Sequence, residues 1–329
     1  MITLLDRIDT RPTDAGPAHD VNLEPAQRLR ATMAACRVQF TWFGTRRALT
    51  RDQTALAAGA FDADGPFLSA GKKLLDTRHP AFRAVTAVRG KAQAYWRAMT
   101  LPFPEPGVRL IRQQAVDNFA ATMGHYRSEL ADAVAGLDAH YAELKVAAAG
   151  RLGSLYNPGD YPETLAGLFD VAYDFPAVEP PAYLVALSPR VYEEERARVA
   201  SRFEEAVRLA EHAFLEEFAR LVGHLTERVS GSDDGGNAKV FRESAVGNLV
   251  DFFARFREMN VGSNAELDEL VERAQRAVRG VAAQDLRDSE GLRQRVAAQL
   301  SQVQSSLDAM LVERPRRRIL RQAAAPGGA

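Results

Sequence analysis

The chain has 329 residues, with 46% hydrophobic and 26% charged; a chain of this size and balance buries a sizeable core, and a wholly disordered state is excluded. Its 42 basic and 43 acidic residues leave a formal charge of -1, which excludes the overall basic bias that makes nucleic acid a default partner. The single cysteine, Cys36, excludes an intramolecular disulfide, and no window approaches the roughly 18 apolar residues of a membrane span.

Residues 1–20 contain two prolines, four aspartates and little periodicity, the pattern of a flexible N-terminal arm. They lack a basic stretch followed by an apolar run, so no secretory leader is read and a cytoplasmic location is expected. Pro25 suits a first helical position, and Leu29, Met33 and Cys36 follow at helical spacing, which predicts a short helix from Glu24 to about Arg37. Cys36, among Ala34, Ala35 and Val38, reads as a small buried residue rather than a reactive thiol. Val38, Phe40 and Trp42 then alternate with Gln39, Thr41 and Phe43, a strand pattern closed by Gly44.

Residues 68–100 read as two helical pieces divided at His79-Pro80, the first with Leu74 and Leu75, the second faced by Phe82, Val85, Val88, Ala92, Tyr95 and Met99. The prolines at 102, 104 and 106 make a rigid corner. Beyond it Val116, Phe119, Met123, Tyr126, Leu130, Ala133, Leu137, Tyr141 and Leu144 recur at steps of three and four, predicting a long helix near 111–148 with a coiled-coil-like seam. In the proline- and aromatic-rich stretch 151–187, alternation at Val171, Tyr173 and Phe175 predicts a second strand, paired with 38–43.

Ser188-Pro189 opens a further long helix with Glu193, Glu194 and Glu195 near its positive end. Its stripe runs through Val199, Phe203, Val207, Ala210, Phe214, Phe218, Leu221 and Leu225 to a stop near Ser230; a helix of that extent spans on the order of 60 Å. A helix ending near Asn260 follows. Ser263-Asn264-Ala265-Glu266 is a capping box before the last long segment, which weakens at 288–291, continues through Val296, Leu300, Val303, Leu307 and Met310, and ends at Pro315.

Chemistry-bearing motifs are sparse. Gly65-Pro66-Phe67-Leu68-Ser69-Ala70-Gly71-Lys72-Lys73 approaches a phosphate-binding loop, but the glycine spacing is one too long and Lys73 stands where a hydroxyl must hold magnesium, so it reads as a turn. The six histidines form no metal-binding pattern; His140 with Glu143 and His212 with Glu216 read as surface ion pairs. The paired glutamates lie on polar helix faces. No catalytic residue, cofactor site or metal site is therefore assigned. Arg314, Arg316, Arg317, Arg318 and Arg321 form a basic tail that either contacts phosphates, docks on an acidic partner, or complements the preceding helix dipole.

The segments Phe40-Thr41-Trp42-Phe43-Gly44, Arg46-Arg47-Ala48-Leu49, Gly71-Lys72-Lys73-Leu74-Leu75-Asp76, Leu110-Ile111 and Phe169-Asp170-Val171-Ala172-Tyr173 together resemble a family of uncharacterised phage and bacterial helical proteins. Members of that family are often encoded beside MoxR-type AAA+ ATPases and von Willebrand A-domain proteins. The resemblance covers roughly residues 36–230 and implies an adaptor or client of an ATPase machine; it supplies no catalytic residues.

The expected fold is mainly α: an elongated bundle of long antiparallel, coiled-coil-like helices, with 111–148 and 188–230 forming a hairpin capped by a small two-stranded β element. The expected organisation is an arm (1–20), a helical body (21–230), C-terminal helices packing on it (231–313) and a basic disordered tail (314–329). The leading functional expectation is a non-enzymatic interaction or scaffold protein, working as a homo-oligomer or with protein partners. Phe214, Phe218, Val303 and Leu307 are its candidate docking residues, left exposed in the isolated chain. The alternative is nucleic-acid binding through the arginine tail. A third reading places an unrecognised enzyme site near the aromatic segment 151–187.

Overall fold

Pro25 at the first helical position starts α1 (Pro25–Thr32), and the chain turns at once into a strand, β1 (Met33–Thr41). These are the first elements of a computed structural model that describes residues 23–230 and 243–313. The helix expected to reach Arg37 thus ends at Thr32. The reason is visible in the packing: Met33 and Ala35 enter one core, while Ala34, Cys36, Val38 and Phe40 enter another. A strand buried on both faces loses its polar alternation, and a short apolar run then reads equally well as helix.

In chain order there follow β2 (Arg46–Ala48), α2 (Arg51–Gly59), β3 (Gly71–Lys73), α3 (Pro80–Ala98), β4 (Thr100–Pro102) and β5 (Val108–Arg112). Next come α4 (Val116–Ala139), α5 (Tyr141–Leu152), β6 (Asp170–Asp174), α6 (Tyr183–Leu187) and α7 (Pro189–Ser230). The described chain closes with α8 (Glu243–Met259), α9 (Ala265–Val278), α10 (Ala283–Asp288) and α11 (Glu290–Glu313). The protein is mainly helical with a small antiparallel sheet.

The strand pairing expected between 38–43 and 171–175 is present, in the register Val38 to Tyr173 and Phe40 to Val171. The sheet has four strands, not two, in the order β4-β5-β1-β6, and β2 with β3 makes a separate pair. The extra strands come from the proline corner, which is a hairpin. Pro102 sits on the edge strand β4, where a missing N–H breaks no ladder, and Gly107 makes the turn at a φ of 78°. The first helical piece expected around Leu74 is likewise β3 and an extended segment.

The four-stranded sheet divides two hydrophobic cores. On one face lie α3, α4 and α5 with Phe82, Phe119, Met123, Leu137 and Phe169; on the other lie α1, α7, α8, α9 and α11. Helices 116–152 and 189–230 therefore sit in different cores, and the hairpin expected between them is corrected: α4 packs on α3 and β6, while α7 packs on α11, α1 and α8. The seam of 111–148 is also interrupted. Its first residues belong to β5, and the helix breaks at His140, whose N–H donates to the Leu137 carbonyl at 3.1 Å.

The docking residues require the plainest correction. Phe214, Phe218, Val303 and Leu307 are 6, 0, 2 and 0% exposed, covered by the chain's own C-terminal helices. Phe218 stacks on Phe252 of α8, and α11 lies against α7 where Gly223 leaves room for Gln304; a Cβ there would stand 3.2 Å from its Oε1. A periodic apolar stripe announces that a face is covered without saying by what. The last segment is three helices: Asn264, rather than Ser263, caps α9 by accepting the Leu267 N–H at 3.0 Å, and Gly280 breaks the chain at a φ of 72°.

Cys36 is fully buried, and burial first of all pushes its thiol up to about 12, with the nearby Trp96 indole acting the other way. The folded state keeps this proton through a pH range where the unfolded chain releases it, so Cys36 subtracts stability as pH rises from about 9 toward 12. Among the described residues no helix is long and apolar enough to cross a membrane. The N-terminal arm and Arg314, Arg316, Arg317, Arg318 and Arg321 lie outside the described residues.

Candidate functional site

Residues 45–73 leave the body as an excursion carrying β2, α2, a short 3-10 turn at Gly65–Phe67, and β3. Its local chemistry is sound: Thr50 and Gln53 form a reciprocal capping box at the start of α2, with bonds of 3.3 and 3.1 Å. Gly71 is required where β3 crosses β2, since a Cβ would stand 3.0 Å from the Arg47 carbonyl oxygen. What the excursion lacks is a core. Of its residues only Ala58 and Lys72 are buried, while Leu56, Phe61 and Phe67 are 78, 80 and 90% exposed. Burying such a side chain contributes about 1.5–3 kcal/mol, so three left in water on one appendage mark a surface for contact.

The strands of the excursion also place like charges face to face: Arg46 pairs with Lys73 and Arg47 with Lys72. Directly opposed like charges destabilise a strand pair. One of the four is neutralised from below. Lys72 Nζ lies 2.6 Å from Asp160 Oδ2, in ion-pair contact without directed hydrogen-bond geometry, and donates to the Leu155 carbonyl at 2.7 Å. Arg46, Arg47 and Lys73 have no carboxylate partner among the described residues.

At the foot of the hairpin opens a cleft of about 630 Å³ between the β3–α3 connection and the end of α5. Leu49, Leu74, Leu75, Ala148, Leu152 and Leu155 make its apolar wall, and Lys72, Lys73, Arg78 and Arg151 its cationic rim, with Asp76 as the carboxylate in the lining. Asp76 organises the turn into α3. Its Oδ1 accepts the Arg78 amide at 3.0 Å and the Arg78 Nε at 3.1 Å, and Arg151 reaches its Oδ2 at 3.3 Å. The Arg78 side chain, then the Arg78 amide, hold the Asp76 carboxyl down at about 2. With Asp76 committed to two arginines and Asp160 to Lys72, the rim keeps net positive charge. Such a wall and rim suit a group that is apolar on one side and anionic on the other.

His140 and His212 stand 3.6 and 3.7 Å from Glu143 and Glu216, all four side chains being well exposed. Of the aromatic residues in 151–187, Phe169 and Tyr161 are buried packing groups: Phe169 meets Trp42 edge-on at 4.8 Å, and Tyr161 puts its hydroxyl on the Leu74 carbonyl at 3.1 Å, whereas Tyr183 is 64% exposed. Sequence reasoning missed the basic hairpin because Arg46-Arg47 and Lys72-Lys73 are far apart in the chain. Their dibasic character is legible, but their juxtaposition needs the β2–β3 register. Comparisons with protein-family models, with curated proteins and with solved structures find no match to this chain.

Proposed function

We propose that this chain is a non-enzymatic interaction protein whose docking element is the excursion 45–73, presented by the two-core helical body. The observation that carries this reading is the exposure of Leu56, Phe61 and Phe67 on a segment whose sole buried apolar residue is Ala58. Apolar anchors beside a cationic hairpin fit a protein surface that is apolar at its centre and acidic at its rim. The family resemblance makes a MoxR-type AAA+ ATPase the first partner to try. Replacing Leu56, Phe61 and Phe67 together by serine is expected to weaken capture of that ATPase at least about tenfold while leaving stability nearly unchanged. Equal capture by variant and native chain removes the docking assignment; no capture by either removes this partner.

Nucleic-acid binding is the second reading, and the opposed pairs Arg46 with Lys73 and Arg47 with Lys72 favour it. It expects affinity for duplex or single-stranded DNA that falls steeply with salt, with a slope reduced by about one for each phosphate-contacting cation removed. Arg46→Ala/Arg47→Ala should lower that slope, whereas truncation after Glu313 should do so only if the tail is the contact. No binding at low salt rejects this reading.

A further inference from the structure

A second cleft, of about 260 Å³, lies at the β4 edge of the sheet, where α3 approaches from one side and α7 and α8 from the other. Arg97, Arg109 and Arg255 reach it from three elements, and Glu217 is its carboxylate. Glu217 is already engaged by Arg255 across the α7–α8 contact. Arg109 is different. It is a half-buried arginine on β5 with no carboxylate partner among the described residues, and the charge acting on it from nearby is another cation, Arg97.

The Arg109 side chain is nonetheless rigidly placed. Its Nε donates to Thr100 Oγ1 at 2.7 Å, its Nη2 donates to the Thr100 carbonyl at 2.8 Å, and its guanidinium sits 5.9 Å from the centre of the Trp96 ring. Thr100 is fixed in turn, because its hydroxyl donates to the Trp96 carbonyl at 2.5 Å. Burial, reinforced by Arg97, pushes Arg109 down to about 10. It therefore stays charged at neutral pH, a half-buried cation with no carboxylate beside it among the described residues. A fold that holds such a group in one orientation, beside a second arginine with no carboxylate partner among the described residues, is short of an anion.

We propose that the β4-edge cleft is a binding site for a phosphate group, held between Arg97 and Arg109 with Arg255 closing the far wall. A phosphate suits the arrangement better than a carboxylate. Its tetrahedral oxygens serve guanidinium groups arriving from α3, β5 and α8, whereas a carboxylate offers one planar fork. The apolar remainder of the lining, with Leu101, Pro102, Phe214 and Met259, accommodates a small organic group attached to that phosphate. The site shares no residue with the cleft under the excursion, so its fate is independent of the docking proposal.

The test is titration of the full chain with inorganic phosphate and, separately, with glycerol 3-phosphate, following thermal unfolding and calorimetric heat at constant ionic strength set by chloride. Phosphate should raise the Tm above the chloride control. A further gain with the ester identifies a phosphate-bearing metabolite as the occupant; an equal response identifies the free ion. Arg97→Ala, at an exposed position, should fold normally and weaken binding at least about tenfold, as removal of one charge-assisted contact does. Arg83→Ala, which removes an exposed cation of α3 that lines neither cleft, should bind like the native chain. The assignment is overturned if neither ligand raises the Tm over chloride, or if Arg97→Ala binds as tightly as the native chain.

Discussion

Phe218→Ala is expected to destabilise the fold by about 3–5 kcal/mol, the range for removing a fully buried aromatic side chain from a core that cannot close over the gap. Phe218 has no exposed surface, stacks on Phe252 at 5.1 Å with the rings 4° from parallel, and touches Phe253 at 6.3 Å between centroids. Phe214 braces the same cluster through Phe252 and Phe256. Relaxation into the cavity is opposed because its walls belong to two helices held elsewhere, α7 by α11 and α8 by α9. Urea unfolding followed by circular dichroism measures the loss as a shift of the midpoint at constant slope. Phe67→Ala, at a side chain 90% exposed, is the matched control and should stay within about 0.5 kcal/mol of the native chain. A loss below about 1 kcal/mol at Phe218 would return that face of α7 to the solvent and restore it as a docking surface.

Asp160→Ala is expected to cost about 2–4 kcal/mol, toward the lower part of the range for breaking a buried ion pair because Asp160 keeps some contact with water. The Lys72 and Asp160 side chains are 7 and 19% exposed, and their charged atoms are 2.6 Å apart. Removing the carboxylate leaves an ammonium with the Leu155 carbonyl as its remaining partner, in a strand pair that already opposes it with Arg47. The double variant Lys72→Met/Asp160→Ala removes the charge along with its partner and should recover most of the loss, since a hydrophobic replacement of a buried pair is often neutral. If Asp160→Ala alone is neutral in the same unfolding assay, Lys72 is solvated and the foot of the hairpin is not anchored as described. The consequence for function is direct: this pair ties the cationic hairpin and the excursion above it to the helical body.

Both predictions rest on contacts between residues distant in the chain, which is where reading the sequence alone runs out. Helices α3 and α7 were legible because their signals are local. Pro80 and Pro189 sit at first helical positions, and the apolar residues after them repeat at 3.6-residue spacing. The pairing of residues 38–41 with 170–173 was legible too, because alternating apolar and polar residues in two short segments left few other partners. Residues 33–37 and 108–112 were not. Both strands are buried on two faces, so the alternation that betrays a strand is erased, and Leu110 and Ile111 pass for the start of the next helix.

The amino-acid sequence by itself determined that the chain is mainly helical, where its strongest helices begin, that Cys36 is buried, and that a strand near residue 40 meets one near residue 172. Caps, prolines and periodicity act within a few residues and survive being read one window at a time. Tertiary structure alone decided which apolar faces are core and which are left to solvent. Phe218 and Phe67 are the same side chain, but helices from the far end of the chain close over the first, and among the described residues no element returns to cover the second. It likewise decided where charge gathers: Arg46-Arg47 meets Lys72-Lys73 through strand register, and Arg97 meets Arg109 through the packing of α3 on the sheet. Burial and electrostatic field are sums over neighbours in space, and those neighbours exist only once the chain has folded.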